Sequence, residues 1–147
     1  MSARLAALRL LGRRDYTRHE LADRLLAREH PPDEVEAALD ALTAEGLVDD
    51  RRVAAAHART ASELKGRGRL RIMRELEARG IGRAVAQDAV ARLSPEHEAA
   101  TIERFLARKR LPARLPAADH RRIFAQLLRR GFSADAIAAV LRTRSEG

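Results

Sequence analysis

Cysteine and tryptophan are absent from this chain of 147 residues, and its only aromatic residues are Tyr16, Phe105, Phe124 and Phe132. Without cysteine there is no disulfide bond, no thiolate metal ligand and no cysteine nucleophile. Most of the four rings fit the apolar pattern of the predicted core. This argues against an aromatic platform on which nucleic-acid bases could stack.

Long apolar runs are also missing. The segment from Met1 to Leu11 is interrupted by Arg4 and Arg9, so neither a signal peptide nor a membrane span is predicted. Together with the lack of cysteine, this pattern predicts a soluble, cytoplasmic protein that does not bind membranes.

Residues suited to catalysis or metal binding are sparse. The five histidines do not occur in a metal-binding spacing such as HExxH, and serine and threonine lie mainly at predicted helix starts. The paired acids Asp49 and Asp50 are candidates for acid–base catalysis, but they also lie where a helix begins and its dipole favours negative charge. We favour capping for this pair, and we expect no enzymatic activity, no metal and no cofactor.

Basic residues are abundant instead, and all but Lys65 and Lys109 of the 29 are arginine. Residues 1–50 hold 7 basic and 11 acidic side chains, residues 51–100 hold 11 and 6, and residues 101–147 hold 11 and 4. This asymmetry predicts that a polyanion meets the middle and the end of the chain, because guanidinium groups bind phosphates and carboxylates. A GC-rich genome would also favour arginine over lysine, and that explanation stays open.

The chain contains an internal repeat of 51 residues. The segments 21–39 (LADRLLAREHPPDEVEAAL), 72–90 (IMRELEARGIGRAVAQDAV) and 123–141 (IFAQLLRRGFSADAIAAVL) align without gaps. Each reads as a helix, a turn and a second helix with apolar residues at helical spacing, and a less regular helix precedes each segment. We predict an all-α protein of three tandem three-helix repeats, over 1–47, 48–94 and 95–147, forming an elongated, curved helical array. Nothing in the sequence signals a dimer, so we expect a monomer.

Local signals mark where the second helix of each repeat begins and ends. Thr17 and Glu20 form a predicted capping box, and Gly80 and Gly131 are predicted left-handed residues that stop the helix. The first repeat has Glu29 at the glycine position. We therefore expect the two prolines that follow it to end that helix.

Three clusters of basic residues are candidates for binding a polyanion. The first surrounds the start of the second helix of the middle repeat, where a helix amino terminus also attracts anions. There we expect exposed guanidinium groups beside free backbone N–H donors; the alternative is that these arginines only solvate the helix. The candidate binding residues are Lys65, Arg67, Arg69, Arg71, Arg74, Arg108, Lys109, Arg121 and Arg122.

The assembled motifs resemble those of the RecX family of bacterial regulatory proteins. The resemblance rests on residues 16–21 (YTRHEL), 45–50 (EGLVDD), 65–72 (KGRGRLRI), 75–76 (EL), 79–81 (RGI) and 128–133 (LRRGFS), and it covers nearly the whole chain in order. Val53 and His57 depart from the pattern, since the family often has aromatic residues there, and Glu29-His30 replaces its usual glycine-aromatic turn. These departures affect the expected packing of the first two repeats and leave the basic segment intact.

The resemblance implies a non-enzymatic regulator of the RecA recombinase. Such a protein lodges in the groove of the RecA filament on single-stranded DNA and hinders its growth and its recombinase, ATPase and co-protease activities. The candidate basic residues would then contact the filament, single-stranded DNA or double-stranded DNA. The alternative is a helix-turn-helix-like DNA-binding protein that acts without RecA. Against it, the third helices are rich in alanine and offer few polar groups to base edges.

Overall fold

The computed structural model describes residues 1–112 and 114–145. Within these ranges the chain forms nine α-helices and no strand, which confirms the predicted all-α class. The helices are α1 (Ala3–Leu11), α2 (Arg18–Ala27), α3 (Pro32–Ala44), α4 (Asp50–Glu63), α5 (Arg69–Ala78), α6 (Arg83–Ala91), α7 (Pro95–Arg108), α8 (Ala117–Arg129) and α9 (Ala134–Ser145).

The helices pack in three successive groups of three, each around its own apolar core. We call α1–α3 the first unit, α4–α6 the second unit and α7–α9 the third unit. Leucine and isoleucine at equivalent positions are fully buried, as at Leu25, Leu76 and Leu127. The predicted tandem arrangement of three-helix repeats is thus confirmed, whereas the division into domains at 47/48 and 94/95 stays a prediction.

The predicted helix ends are largely as expected. Thr17 and Glu20 form the capping box at the start of α2. Gly80 and Gly131 have φ angles of 81° and 98°, and the residue after each donates its N–H back to the last turn of the helix. The apolar spacing of α2 and α8 also predicts Leu26 and Leu128 in the core, but each is 44% exposed.

The end of α2 corrects one expectation. Glu29 itself adopts the left-handed conformation, with φ of 67°, and the N–H of His30 donates to the carbonyl oxygen of Leu25 at 3.2 Å. The helix therefore ends by the same turn as α5 and α8, with glutamate in place of glycine. Pro31 and Pro32 belong to the start of α3 instead. A non-glycine residue in this conformation costs about 1–2 kcal/mol.

Helices α2, α5 and α8 meet end to end. At the first junction, between α2 and α5, the Thr17 hydroxyl donates to the carbonyl oxygen of Arg79 at 2.7 Å. At the second junction, between α5 and α8, the N–H of Gly68 donates to the carbonyl oxygen of Arg130 at 2.9 Å. Both donors and both acceptors are 51 residues apart, so the two junctions are equivalent in the repeat. The helix dipoles align head to tail in the order α8, α5, α2.

Candidate nucleic-acid interface

A concave basic surface lies at the second junction, where α5 meets α8 and α7. Its volume is about 510 Å³, and six of its lining side chains are positively charged. We call it the basic cleft. Its lining residues are Lys65, Arg67, Arg71, Phe105, Lys109, Gln126, Arg129 and Arg130.

One carboxylate orients two of the cleft arginines. Glu75, one turn further along α5, accepts a hydrogen bond from Nη1 of Arg67, and its Oε2 lies 3.5 Å from Nε of Arg71. Its other oxygen lies 3.1 Å from Nε2 of His57 on α4. Because these side chains are held in place, less conformational entropy is lost when they bind an anion.

The remaining cations of the cleft have no carboxylate partner in the described part of the chain. The guanidinium of Arg130 lies 4.5 Å from the centroid of the Phe105 ring, and Nζ of Lys109 lies 5.2 Å from it. Over residues 1–112 and 114–145, no aspartate or glutamate forms an ion pair with Lys65, Lys109, Arg129 or Arg130. Their charges are therefore available to an external anion.

The structure brings Lys65, Arg67, Arg71 and Lys109 together, out of the nine predicted binding residues. Arg108 lies in an adjoining depression that shares Phe105 with the cleft. Arg74 is exposed on α5 but does not line the cleft.

Arg69 faces a different environment, beside the buried carboxylate of Glu98. Its Nε lies 3.8 Å from Oε2 of Glu98, whose side chain is only 6% exposed. Burial raises the pKa of Glu98, although Arg69, the N–H of Ser133 and His97 act in the opposite direction. Arg69 thus compensates a buried charge and does not line the cleft.

Arg121 and Arg122 lie near the amino end of α8, whereas the cleft is at its carboxyl end. Nη2 of Arg122 donates to Asp119 at 2.9 Å, and Arg121 lines a separate depression with Arg114 and His120. Eight residues of helix between Arg121 and Arg129 correspond to about 12 Å. The structure therefore separates these two residues from the cleft.

Two expectations about the start of α5 need correction. The N–H groups of Gly68 and Leu70 are not free, because they donate to the carbonyl oxygens of Arg130 and Gly131, each at 2.9 Å. The side chains of Arg67 and Arg71 are half-buried, at 23% and 40% exposure, and are not fully exposed. The cleft therefore offers side-chain donors, while those two backbone donors hold the junction together.

Arg129 and Arg130 belong to the third cluster of basic residues in the sequence but were not among the nine candidate binding residues, and neither was Phe105. A signal for Arg130 was present, since the 51-residue repeat aligns the Arg130-Gly131 pair with Arg79-Gly80 at the end of the preceding second helix. What the repeat does not reveal is that this helix end meets the start of α5.

Neither a metal centre nor a membrane span is found among the described residues. No group of three or more histidine or acidic side chains is placed to hold a metal ion. None of the described helices combines the length and the hydrophobicity that a membrane span needs.

Comparison with known proteins identifies the family. The family description "RecX, first three-helix domain" matches residues 3–42, and "RecX, second three-helix domain" matches residues 49–90. The regulatory protein RecX of Halorhodospira halophila is 38% identical over 99% of this chain and 89% of its own length. This chain belongs to the RecX family. The RecX protein of Chromohalobacter salexigens is 42% identical over 75% of this chain and 72% of its own length.

The fold is that of crystallised RecX. The structure of RecX from Lactobacillus salivarius superposes with a TM-score of 0.88, over 99% of this chain and 96% of that one, at 23% sequence identity. The RecX resemblance inferred from the sequence motifs is thus confirmed. The curated relatives are named regulatory proteins, and this chain shares their family.

Proposed function

We propose that this protein is a non-enzymatic regulator of RecA that binds the RecA filament on single-stranded DNA. In this proposal it limits filament growth and lowers the recombinase, ATPase and co-protease activities. It would act as a monomer in the cytoplasm and modulate recombination, DNA repair and the SOS response.

The basic cleft is the single observation that supports this proposal beyond family membership. Six cations converge on it, and four of them lack a carboxylate partner in the described part of the chain. Converging arginines and lysines bind the phosphate backbone of nucleic acid without reading its sequence. Such a surface suits a regulator that must bind wherever a filament forms.

The test is the rate of RecA ATP hydrolysis on single-stranded DNA as this protein is added below stoichiometric amounts. We expect wild type to reduce the rate. A double variant Lys65→Gln/Lys109→Gln should reduce it much less, because each lost phosphate contact weakens binding. Arg83→Gln, which removes an exposed charge on α6 outside the cleft, is the control and should act as wild type does.

An unchanged ATPase rate with wild type would refute the proposal. If the protein instead protected a palindromic DNA site in the absence of RecA, the helix-turn-helix alternative would hold. The exposed face of α3 does not favour that alternative, because it carries Glu36 and Asp40, whose side chains are 72% and 65% exposed. These carboxylates would repel the phosphates beside a groove.

A further inference from the structure

The two junctions occupy equivalent positions in the repeat but differ in local charge. The six cleft cations have equivalents 51 residues earlier in the repeat. These equivalents are two arginines, one glutamate and three uncharged residues. The decisive difference is that the first junction has Glu20 at the repeat position where the second junction has Arg71. A smaller depression of about 260 Å³, lined by Arg14 and Arg79 among others, lies at the first junction.

At the first junction a carboxylate lies between two arginines. Oε1 of Glu20 accepts a hydrogen bond from Nη2 of Arg79 at 3.0 Å, and its Oε2 lies 3.3 Å from Nε of Arg79 and 3.7 Å from Nη2 of Arg14. Burial alone would raise the pKa of Glu20. The hydrogen bonds from Arg79 and from the N–H of Thr17, with the charges of Arg79 and Arg14, outweigh it and keep this pKa below its ordinary value.

The carboxylate of the second junction, Glu75, pairs with Arg67 and Arg71 and leaves Lys65 and Arg130 without a described carboxylate partner. Lys65 and Arg130 are the repeat equivalents of Arg14 and Arg79, and Arg71 occupies the position of Glu20. A third cation thus replaces the anion that would neutralise the other two. Arg130 remains stacked on Phe105, and no described carboxylate pairs with it or with Lys65.

We propose that the basic cleft binds a phosphate of a single nucleic-acid strand where Glu20 binds in the first junction, and that Glu20 masks the first junction as a second such site. This inference rests on the proposed binding of nucleic acid. A carboxylate and a phosphate oxygen accept the same charge-assisted hydrogen bonds from guanidinium groups. The internal carboxylate of one unit therefore marks the ligand position in the next.

The experiment compares two variants that place glutamine at the same repeat position, Arg71→Gln and Glu20→Gln. Glutamine retains the capping-box side chain of α2, so the second variant should keep its fold. Binding of fluorescein-labelled oligo(dT) is measured by anisotropy at several salt concentrations, and far-UV circular dichroism checks folding. Glu34→Gln and Arg83→Gln are the matched controls, because they change the net charge equally outside both junctions.

We expect Arg71→Gln to weaken binding and to reduce the salt slope by about 0.7, the value for one phosphate contact to a single strand. Glu20→Gln should tighten binding and steepen the slope by about the same amount, since Arg14 and Arg79 become free to bind a second phosphate. The two controls should leave the slope unchanged. If they matched the junction variants, net charge alone would explain binding and the inference would be overturned.

A further variant keeps the inference testable if Glu20→Gln does not fold. Arg71→Glu recreates in the second junction the carboxylate of the first, and it should weaken binding more than Arg71→Gln does. Equal binding by the two Arg71 variants would refute the shared phosphate position. Displacement of oligo(dT) by an oligo-glutamate of equal charge, with the same dependence on Arg71, would overturn it in favour of an acidic protein partner.

The RecA assay separates this inference from the proposed function. If Glu20→Gln leaves oligo(dT) affinity and slope unchanged while wild type still slows RecA, only the masked site is refuted. If the glutamine variants behave as expected but RecA is unaffected, the phosphate site stands and the proposed function fails.

Discussion

Four glycines allow the steric tightness of the second junction to be measured separately from backbone strain. Gly68 and Gly82 are N-caps of α5 and α6 with ordinary negative φ angles, whereas Gly46 and Gly131 have φ angles of 79° and 98°. A Cβ atom at Gly46 or Gly82 would meet nothing within 4 Å. At Gly68 it would lie 2.3 Å from the N atom of Phe132, and at Gly131 it would lie 2.2 Å from Cβ of Arg71.

Replacing each of these glycines by alanine should therefore give four different losses in the free energy of unfolding. Gly82→Ala should lower the free energy of unfolding only by the small difference between glycine and alanine at an N-cap. Gly46→Ala should lower it by about 1 kcal/mol, because alanine must then adopt the left-handed conformation. Gly68→Ala forces apart the junction and its two backbone hydrogen bonds, at about 1 kcal/mol each and so about 2 kcal/mol together. Gly131→Ala combines both effects, for about 3 kcal/mol.

Urea unfolding followed by far-UV circular dichroism measures these losses. The fluorescence of Tyr16, the single tyrosine and a buried residue of the first unit, reports separately on that unit. Coincident transitions would justify two-state free energies. If Gly68→Ala were no worse than Gly82→Ala, the close approach of α5 and α8 would be refuted.

Three further predictions concern single side chains. Thr17→Val should lower the free energy of unfolding by about 2 kcal/mol, because the buried hydroxyl both caps α2 and donates to Arg79, whereas Thr17→Ser should recover most of it in the same urea assay. Glu29→Gly should raise the melting temperature, with a gain of about 1 kcal/mol from the relieved left-handed conformation. Glu98→Gln should exceed wild type in stability at neutral pH, because the raised pKa of Glu98 means that its charged form destabilises the fold. That advantage should shrink as the pH falls through the raised pKa, and a constant difference across pH would contradict it.

The sequence predicted the parts of this fold that depend on neighbouring residues. The capping box of Thr17, the glycine turns at Gly80 and Gly131 and the apolar periodicity are all set within a few positions. The turn at Glu29 was mispredicted because the backbone bond from His30 to Leu25 holds it in the left-handed conformation. The conformational preference of glutamate alone does not reveal that a backbone hydrogen bond imposes this conformation.

The candidate site could be predicted only in part, because it joins residues that are far apart in the chain. Lys65 and Arg71 were found from their local clustering, but their neighbour Arg130 comes from another unit. Clustering along the sequence also suggested Arg121, which the rise of α8 carries to the opposite end of the helix. The missing information was that the start of α5 contacts the end of α8.

The end-to-end order of α8, α5 and α2 runs against the direction of synthesis. The Thr17 hydroxyl must wait for the carbonyl group of Arg79, and the N–H of Gly68 must wait for that of Arg130, in both cases 62 residues further along. At translation rates of about 5–20 residues per second, this delay is roughly 3–12 s. The first and second units therefore leave the ribosome before their docking partners are made, and the end-to-end array is completed only when α8 docks onto α5.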